Sequence, residues 1–182
     1  MGKIVLVTGG SRSGKSGFAE RLFENTDDVL YIATAIVTDE EMGDRIKKHI
    51  DSRNSKWTTY EGFFDLDKAI VKYDINNILL DCVTIMITNL MFKEEIDFDN
   101  ISLGKIDELL DDIKTQFEKL ILKARVSNKN LVMVTNEVGL GLVPEYKLSR
   151  VFRDIAGYVN QYIASQSDEV YLVSCGLPLK LK

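Results

Sequence analysis

Proline is nearly missing from this 182-residue chain, at two residues, and it carries only two cysteines, one tryptophan and one histidine. So little proline beside twelve glycines excludes collagen-like and proline-rich disordered chains. The cysteines, Cys82 and Cys175, lie 93 positions apart in apolar segments without C-x-x-C spacing. That argues against a disulfide or zinc site and predicts two small buried thiols. Long hydrophobic runs are also lacking. The longest stretch free of Asp, Glu, Lys and Arg is Ile155–Ser167, 13 residues that include Asn160, Gln161, Ser165 and Gln166, short of the about 18 apolar residues of a membrane span. Positive charge is not in excess, the net charge being −5, so a sequence-independent grip on nucleic acid is not expected. The opening MGKIVLVTGG has no small-residue cleavage site after its apolar run. It reads as a first strand rather than a signal peptide, and a cytoplasmic location is expected.

What is present, 45% hydrophobic and 28% charged residues, suffices to bury the core of one compact domain spanning 1–182. Apolar, β-branched runs at Lys3–Thr8, Asp28–Thr34, Asn76–Asp81, Asn130–Thr135 and Glu169–Ser174 predict five strands buried on both faces. Between them, Phe18/Leu22/Phe23, Leu66/Ala69/Ile70/Tyr73, Ile106 to Ile121 and Leu148 to Ile163 recur at helical spacing. Strands alternating with one-faced helices predict an α/β fold, with a mostly parallel sheet covered by helices on both faces. Asp97–Gly104 is polar and reads as a surface loop, and Gly139–Pro144 as a mobile turn.

Residues Gly9-Gly10-Ser11-Arg12-Ser13-Gly14-Lys15-Ser16 satisfy G-x-x-x-x-G-K-[ST] between the first strand and a helix, the context this phosphate loop requires. Glycines let successive N–H groups curl around an anion, and the helix N-terminus adds partial positive charge. Lys15 is expected to reach the terminal phosphates, and the Ser16 hydroxyl to ligate a Mg2+ bridging them. The dinucleotide pattern G-x-G-x-x-G fails at Ser11. A carboxylate at the end of a neighbouring strand commonly completes such a site. Asp81 is placed for that, or for capping a helix that starts near Thr84, and the metal role is favoured. Glu137 is a second carboxylate at the same sheet edge.

His49 lies in DEEMGDRIKKHIDSR, where Met42, Ile46 and Ile50 form an apolar stripe and Arg45, His49 and Arg53 a polar one. Flanking cations keep an imidazole neutral and nucleophilic, and draw a phosphate to it. The same pattern also describes an ordinary solvated helix with acids first and bases last; spacing alone leaves both open.

The ordered blocks TGGSRSGKS, YIATA at Tyr31–Ala35, DEEM to Arg53, W-T-E at Trp57–Glu61, DCVT to Phe92, TNEVGLGLVPE at Thr135–Glu145, FRDIAGYVNQ and the tail VSCGLPLKLK resemble the bifunctional adenosylcobinamide kinase/adenosylcobinamide-phosphate guanylyltransferases of cobalamin biosynthesis. Only the stretch around 93–128 lacks a matching block. The resemblance implies a RecA-like P-loop NTPase fold, ATP and GTP as substrates with Mg2+, adenosylcobinamide and its phosphate as acceptors, and a homo-oligomer, a trimer. It places a guanylylated histidine at His49. Nucleotide contacts fall on Gly9, Gly10, Ser11, Arg12, Ser13, Gly14, Lys15 and Ser16, on Ala33, Thr34 and Ala35, on Ile50, Asp51, Ser52 and Arg53, on Glu61 and on Asp81. Asn54 stands where many members carry proline, a departure at the turn after the histidine. The competing expectation is a P-loop kinase for another small alcohol, with His49 merely on the surface; a RecA-like motor lacks the basic surface it needs.

Overall fold

The computed structural model describes residues 2–36 and 54–182. Among these residues, seven strands form one sheet in the order β3-β2-β4-β5-β1-β6-β7. They are β1 (Ile4–Gly9), β2 (Val29–Ala33), β3 (Thr58–Glu61), β4 (Asn77–Asp81), β5 (Asn130–Asn136), β6 (Glu169–Ser174) and β7 (Leu177–Lys180). All neighbours are parallel except β6 and β7.

The apolar strand runs are explained by burial on both faces. Along β1, Ile4 and Leu6 join Leu30, Ile32, Ile78, Leu80, Leu131 and Met133 in one core. Val5 and Val7 join Tyr31, Leu79, Val132 and Val134 in the other. A strand covered on both sides cannot spare either set of alternating positions for polar residues. The second core is closed by α1 (Lys15–Arg21) through Ala19. The first is closed by α2 (Leu66–Ala69), α3 (Val83–Met91), α4 (Leu103–Val126) and α5 (Lys147–Gln166). The expected α/β architecture, helices on both faces of a mostly parallel sheet, is what forms.

Several expectations are corrected. The sheet has two further strands, β3 and β7, both at its edges and mostly solvent-exposed, so neither needs an apolar run. β7 returns antiparallel through a tight turn in which Cys175 and Gly176 both have positive φ, 53° and 78°, the backbone twist a two-residue hairpin favours. Cys175 therefore sits exposed on a turn, not buried; Cys82 is buried, and both thiols are free. The segment Asp97–Gly104 is not wholly a surface loop. Phe98 and Ile101 are buried, Phe98 meets Phe92 edge-on with ring centroids 5.6 Å apart, and the Ser102 hydroxyl accepts from the Lys105 N–H at 3.3 Å to start α4. The 66/69/70/73 pattern yields only a four-residue helix, although Ile70 and Tyr73 still pack on the core.

Candidate nucleotide site

The phosphate loop leaves β1 at Gly9, where no side chain fits: a Cβ there would lie 2.4 Å from the Val173 carbonyl oxygen and 2.6 Å from the Ser13 Oγ. Gly14 closes the loop at φ 93° and stands at the N-cap of α1, a backbone region that disfavours any Cβ. Gly10 differs, since a Cβ on it would meet nothing within 4 Å. Gly9→Ala is thus expected to cost about 2 kcal/mol or more through backbone displacement. Gly10→Ala should unfold within about 0.5 kcal/mol of the parent. Denaturant unfolding of the two variants checks the contrast.

The loop is braced from both sides. The Ser13 N–H donates to the Gly10 carbonyl at 3.2 Å, and the Gly176 N–H of the β6–β7 turn donates to the Ser13 carbonyl at 2.8 Å. On the other side the Glu137 N–H donates to the Gly9 carbonyl at 3.0 Å. Inside, Lys15 is only 9% exposed and its Nζ donates to the Gly10 carbonyl at 3.1 Å. Burial lowers the Lys15 pKa from the usual lysine value, while the nearby Cys82 and Asp81 act to raise it. This is an ammonium short of compensating charge, the condition for gripping an anion. Among the described residues, two buried side-chain oxygens lack a hydrogen-bond partner, Thr8 Oγ1 and Ser13 Oγ. Thr8 ends the run into the loop and Ser13 belongs to it; such orphaned buried groups ask for a ligand or water.

The strand order sets the rest of the site. β5 lies between β1 and β4, so Asp81 ends a strand about 10 Å from β1 by ordinary strand spacing. Its Oδ2 accepts from the Tyr31 hydroxyl at 3.1 Å. Asp81 does not cap α3: the N-cap is Cys82, with no side-chain cap bond, which leaves the carboxylate available at the edge. The Thr34 hydroxyl fixes the chain there, donating to the Cys82 carbonyl at 2.8 Å and accepting from the Cys82 N–H at 2.9 Å across the cis Asp81–Cys82 peptide. Asn89 Nδ2 adds a bond to the Thr34 carbonyl at 2.7 Å. Ser16 and Asp81 are hard oxygen donors of the kind Mg2+ takes, the remainder of its shell being water and phosphate.

The family model for cobinamide kinase/cobinamide phosphate guanyltransferase matches residues 5–181. The chain belongs to this family. Within it, the bifunctional adenosylcobalamin biosynthesis protein CobU of Salmonella typhimurium is 44% identical over 98% of this chain and 99% of its own. That of Escherichia coli is 42% identical over the same shares, and the protein CobP of Pseudomonas aeruginosa, carrying the same description, is 38% identical over 97% and 96%. Membership of the cobinamide kinase/guanyltransferase family accords with the kinase and nucleotide-binding reading of the phosphate loop.

Set against this family, the expected site residues divide into three groups. Gly9 to Ser16 are brought together in the loop. Ala33 and Glu61 fall on one rung with Asp81, since Ala33 pairs with both; Thr34 and Ala35 follow it. Glu61 is exposed on β3, four strand steps or about 19 Å from β1 by ordinary strand spacing. His49, Arg45, Ile50, Asp51, Ser52 and Arg53 lie outside the described residues. Sequence reasoning missed Tyr31 and Gly176. Tyr31 sits in an apolar strand and reads as core; only its hydroxyl, beyond the ring, distinguishes it. Gly176 acts through its backbone N–H, for which the signal was a Cys-Gly pair between two short apolar alternations.

Proposed function

We propose that this chain phosphorylates adenosylcobinamide with ATP or GTP at the phosphate loop, then transfers GMP from GTP through His49 to adenosylcobinamide phosphate, giving adenosylcobinamide-GDP and pyrophosphate. The observation that carries the reading is family membership over residues 5–181 together with a phosphate loop whose lysine is buried and under-compensated.

In the first step the acceptor hydroxyl attacks the γ-phosphorus, the bond to the β,γ-bridging oxygen breaks and the nucleoside diphosphate leaves. Lys15 and the loop N–H groups hold the charge that spreads over the transferred group. Ser16 and Asp81 would hold a Mg2+, which would supply neutralisation of charge on the nucleotide phosphates. Glu137, joined through its N–H to Gly9, is the second carboxylate at this edge and takes the hydroxyl proton.

In the second reaction the acceptor is a phosphate dianion, and its direct attack on an anionic α-phosphate meets like-charge repulsion. A neutral imidazole splits the step in two. A ring nitrogen of His49 attacks the α-phosphorus of GTP, and the bond to the α,β-bridging oxygen breaks to release pyrophosphate. A phosphate oxygen of the acceptor then displaces the imidazole, which recovers its proton balance as the P–N bond breaks. Arg45 and Arg53 offset the charge, and Ala33, Thr34, Ala35, Ile50, Asp51, Ser52 and Glu61 serve the nucleotide away from the loop. The working assembly is a homo-oligomer, a trimer as in the family it resembles.

Mass spectrometry after exposure to GTP and Mg2+ tests the reading. One GMP per chain on residue 49, with release of pyrophosphate, is expected. An unmodified protein that still phosphorylates an alcohol would leave a plain kinase.

A further inference from the structure

We propose that the segment Leu140–Tyr146 is the platform on which the corrinoid acceptor rests while its hydroxyl reaches the phosphate loop; this rests on the bifunctional reading above. Leu140 is 85% exposed, Leu142 95%, Val143 71% and Tyr146 74%. Scattered exposed aliphatics need no explanation, but four large apolar side chains within seven residues form a surface that gains by being covered.

The segment is not a loose tail of apolar residues. Before it, Val138 packs on the larger core and the Gly139 N–H donates to Glu137 Oε1 at 2.7 Å. After it, Arg150 Nη1 donates to the Pro144 carbonyl at 3.0 Å and to that of Glu145, and Lys147 Nζ donates to the Asp99 and Ile101 carbonyls, each at 3.0 Å. Both ends are tied down, and the apolar side chains between them are held out into water.

Position decides the occupant. The segment continues directly from β5, the strand between β1 and β4, and Glu137 at its root is bonded to Gly9 of the phosphate loop. Open α/β sheets bind ligands outside the carboxyl ends of their strands, and an acceptor must bring its hydroxyl beside the terminal phosphate there. A corrin macrocycle offers broad, partly apolar faces and is too large to be enclosed by so small a protein. Cavities of about 340 and 290 Å3 lie elsewhere: one is lined by residues of α4 and α5, the other chiefly by α4 and the segment that follows α3. An open apolar platform next to the loop suits this acceptor, whereas a small alcohol would need none.

The test uses the full chain carrying Leu140→Ser and Leu142→Ser together, with Leu142→Met as the conservative control. Measured are cobinamide binding by equilibrium dialysis, the KM for cobinamide and for nucleotide, GMP incorporation from GTP alone, and particle mass in solution. The platform predicts that dissociation constant and KM for cobinamide both rise at least about tenfold in the double variant. Nucleotide KM, GMP incorporation and particle mass stay as in the parent, and Leu142→Met stays close to the parent throughout. Parent-like cobinamide binding by the double variant, in an active parent background, overturns the platform alone. Loss of cobinamide binding accompanied by a smaller particle assigns the surface to a second copy of the chain and also overturns it. A parent protein that neither binds nor phosphorylates cobinamide brings down the activity reading and the platform with it.

Discussion

Lys15→Ala is expected to lower kcat/KM for the kinase step by about 10²–10³-fold and to weaken guanylylation from GTP in parallel, with the protein still folded. The magnitude follows from removing one preorganised charge aimed at a transferring phosphoryl group, worth about 3–4 kcal/mol in a site shielded from water. The parallel loss follows if both nucleotides lay their phosphates in the same nest of N–H groups. The stability side has the opposite sign. Burial holds the Lys15 pKa below its unfolded value, so between the folded and unfolded pKa values the unfolded chain binds more protons, and folding gains as pH rises through that window. Below that window, where both states are protonated, the full cost of the buried charge is present. Lys15→Met, which keeps the stem but sheds the charge, should therefore melt no lower than the parent while losing activity as Lys15→Ala does. Calorimetry alongside steady-state kinetics checks both halves. Retained nucleotide turnover in either variant would remove Lys15 from the chemistry.

The central fold was legible because four strands are buried on both faces and so had to be apolar through their middles, with β6 partly so; Ile4 to Val7 feed two different cores in alternation. The edges were not. Thr58–Glu61 and Leu177–Lys180 pair on one side only, and these short, mostly exposed segments lack the continuous apolar run of the central strands. Leu177–Lys180 even contains Pro178, which an edge strand tolerates. Phe98 and Ile101 show the same limit on a smaller scale. Two buried side chains among acids and asparagines do not make a pattern, and only the fold shows them anchoring the approach to α4.

The phosphate loop was legible for a different reason: its chemistry is backbone chemistry, and backbone demands glycine at fixed places. Gly9 is required by the Val173 carbonyl, a contact across two strands that no local window contains, yet the motif records its outcome. What supports the loop was hidden. The Gly176-to-Ser13 bond joins residues 163 positions apart, and the Tyr31-to-Asp81 bond runs between two strands whose adjacency depends on the whole sheet order. Side chains that act on a site at first hand leave motifs; those that hold it in place do so through topology.

His49→Ala separates the two reactions and carries the second large effect. The chain has a single histidine, so a guanylylated imidazole has one address. The expected result is complete loss of the acid-labile GMP adduct and a fall in guanylyl transfer of at least about 10³-fold, the scale on which removal of a covalent nucleophile acts. Phosphorylation of cobinamide should remain within about twofold of the parent, because that step needs the charge of Lys15 and the loop amides, and no nucleophile from the protein. GMP recovered on Lys15 instead would relocate the covalent step to the phosphate loop. Equal loss of both activities in a folded His49→Ala protein would mean that the histidine serves one shared station, and the relay would have to be abandoned.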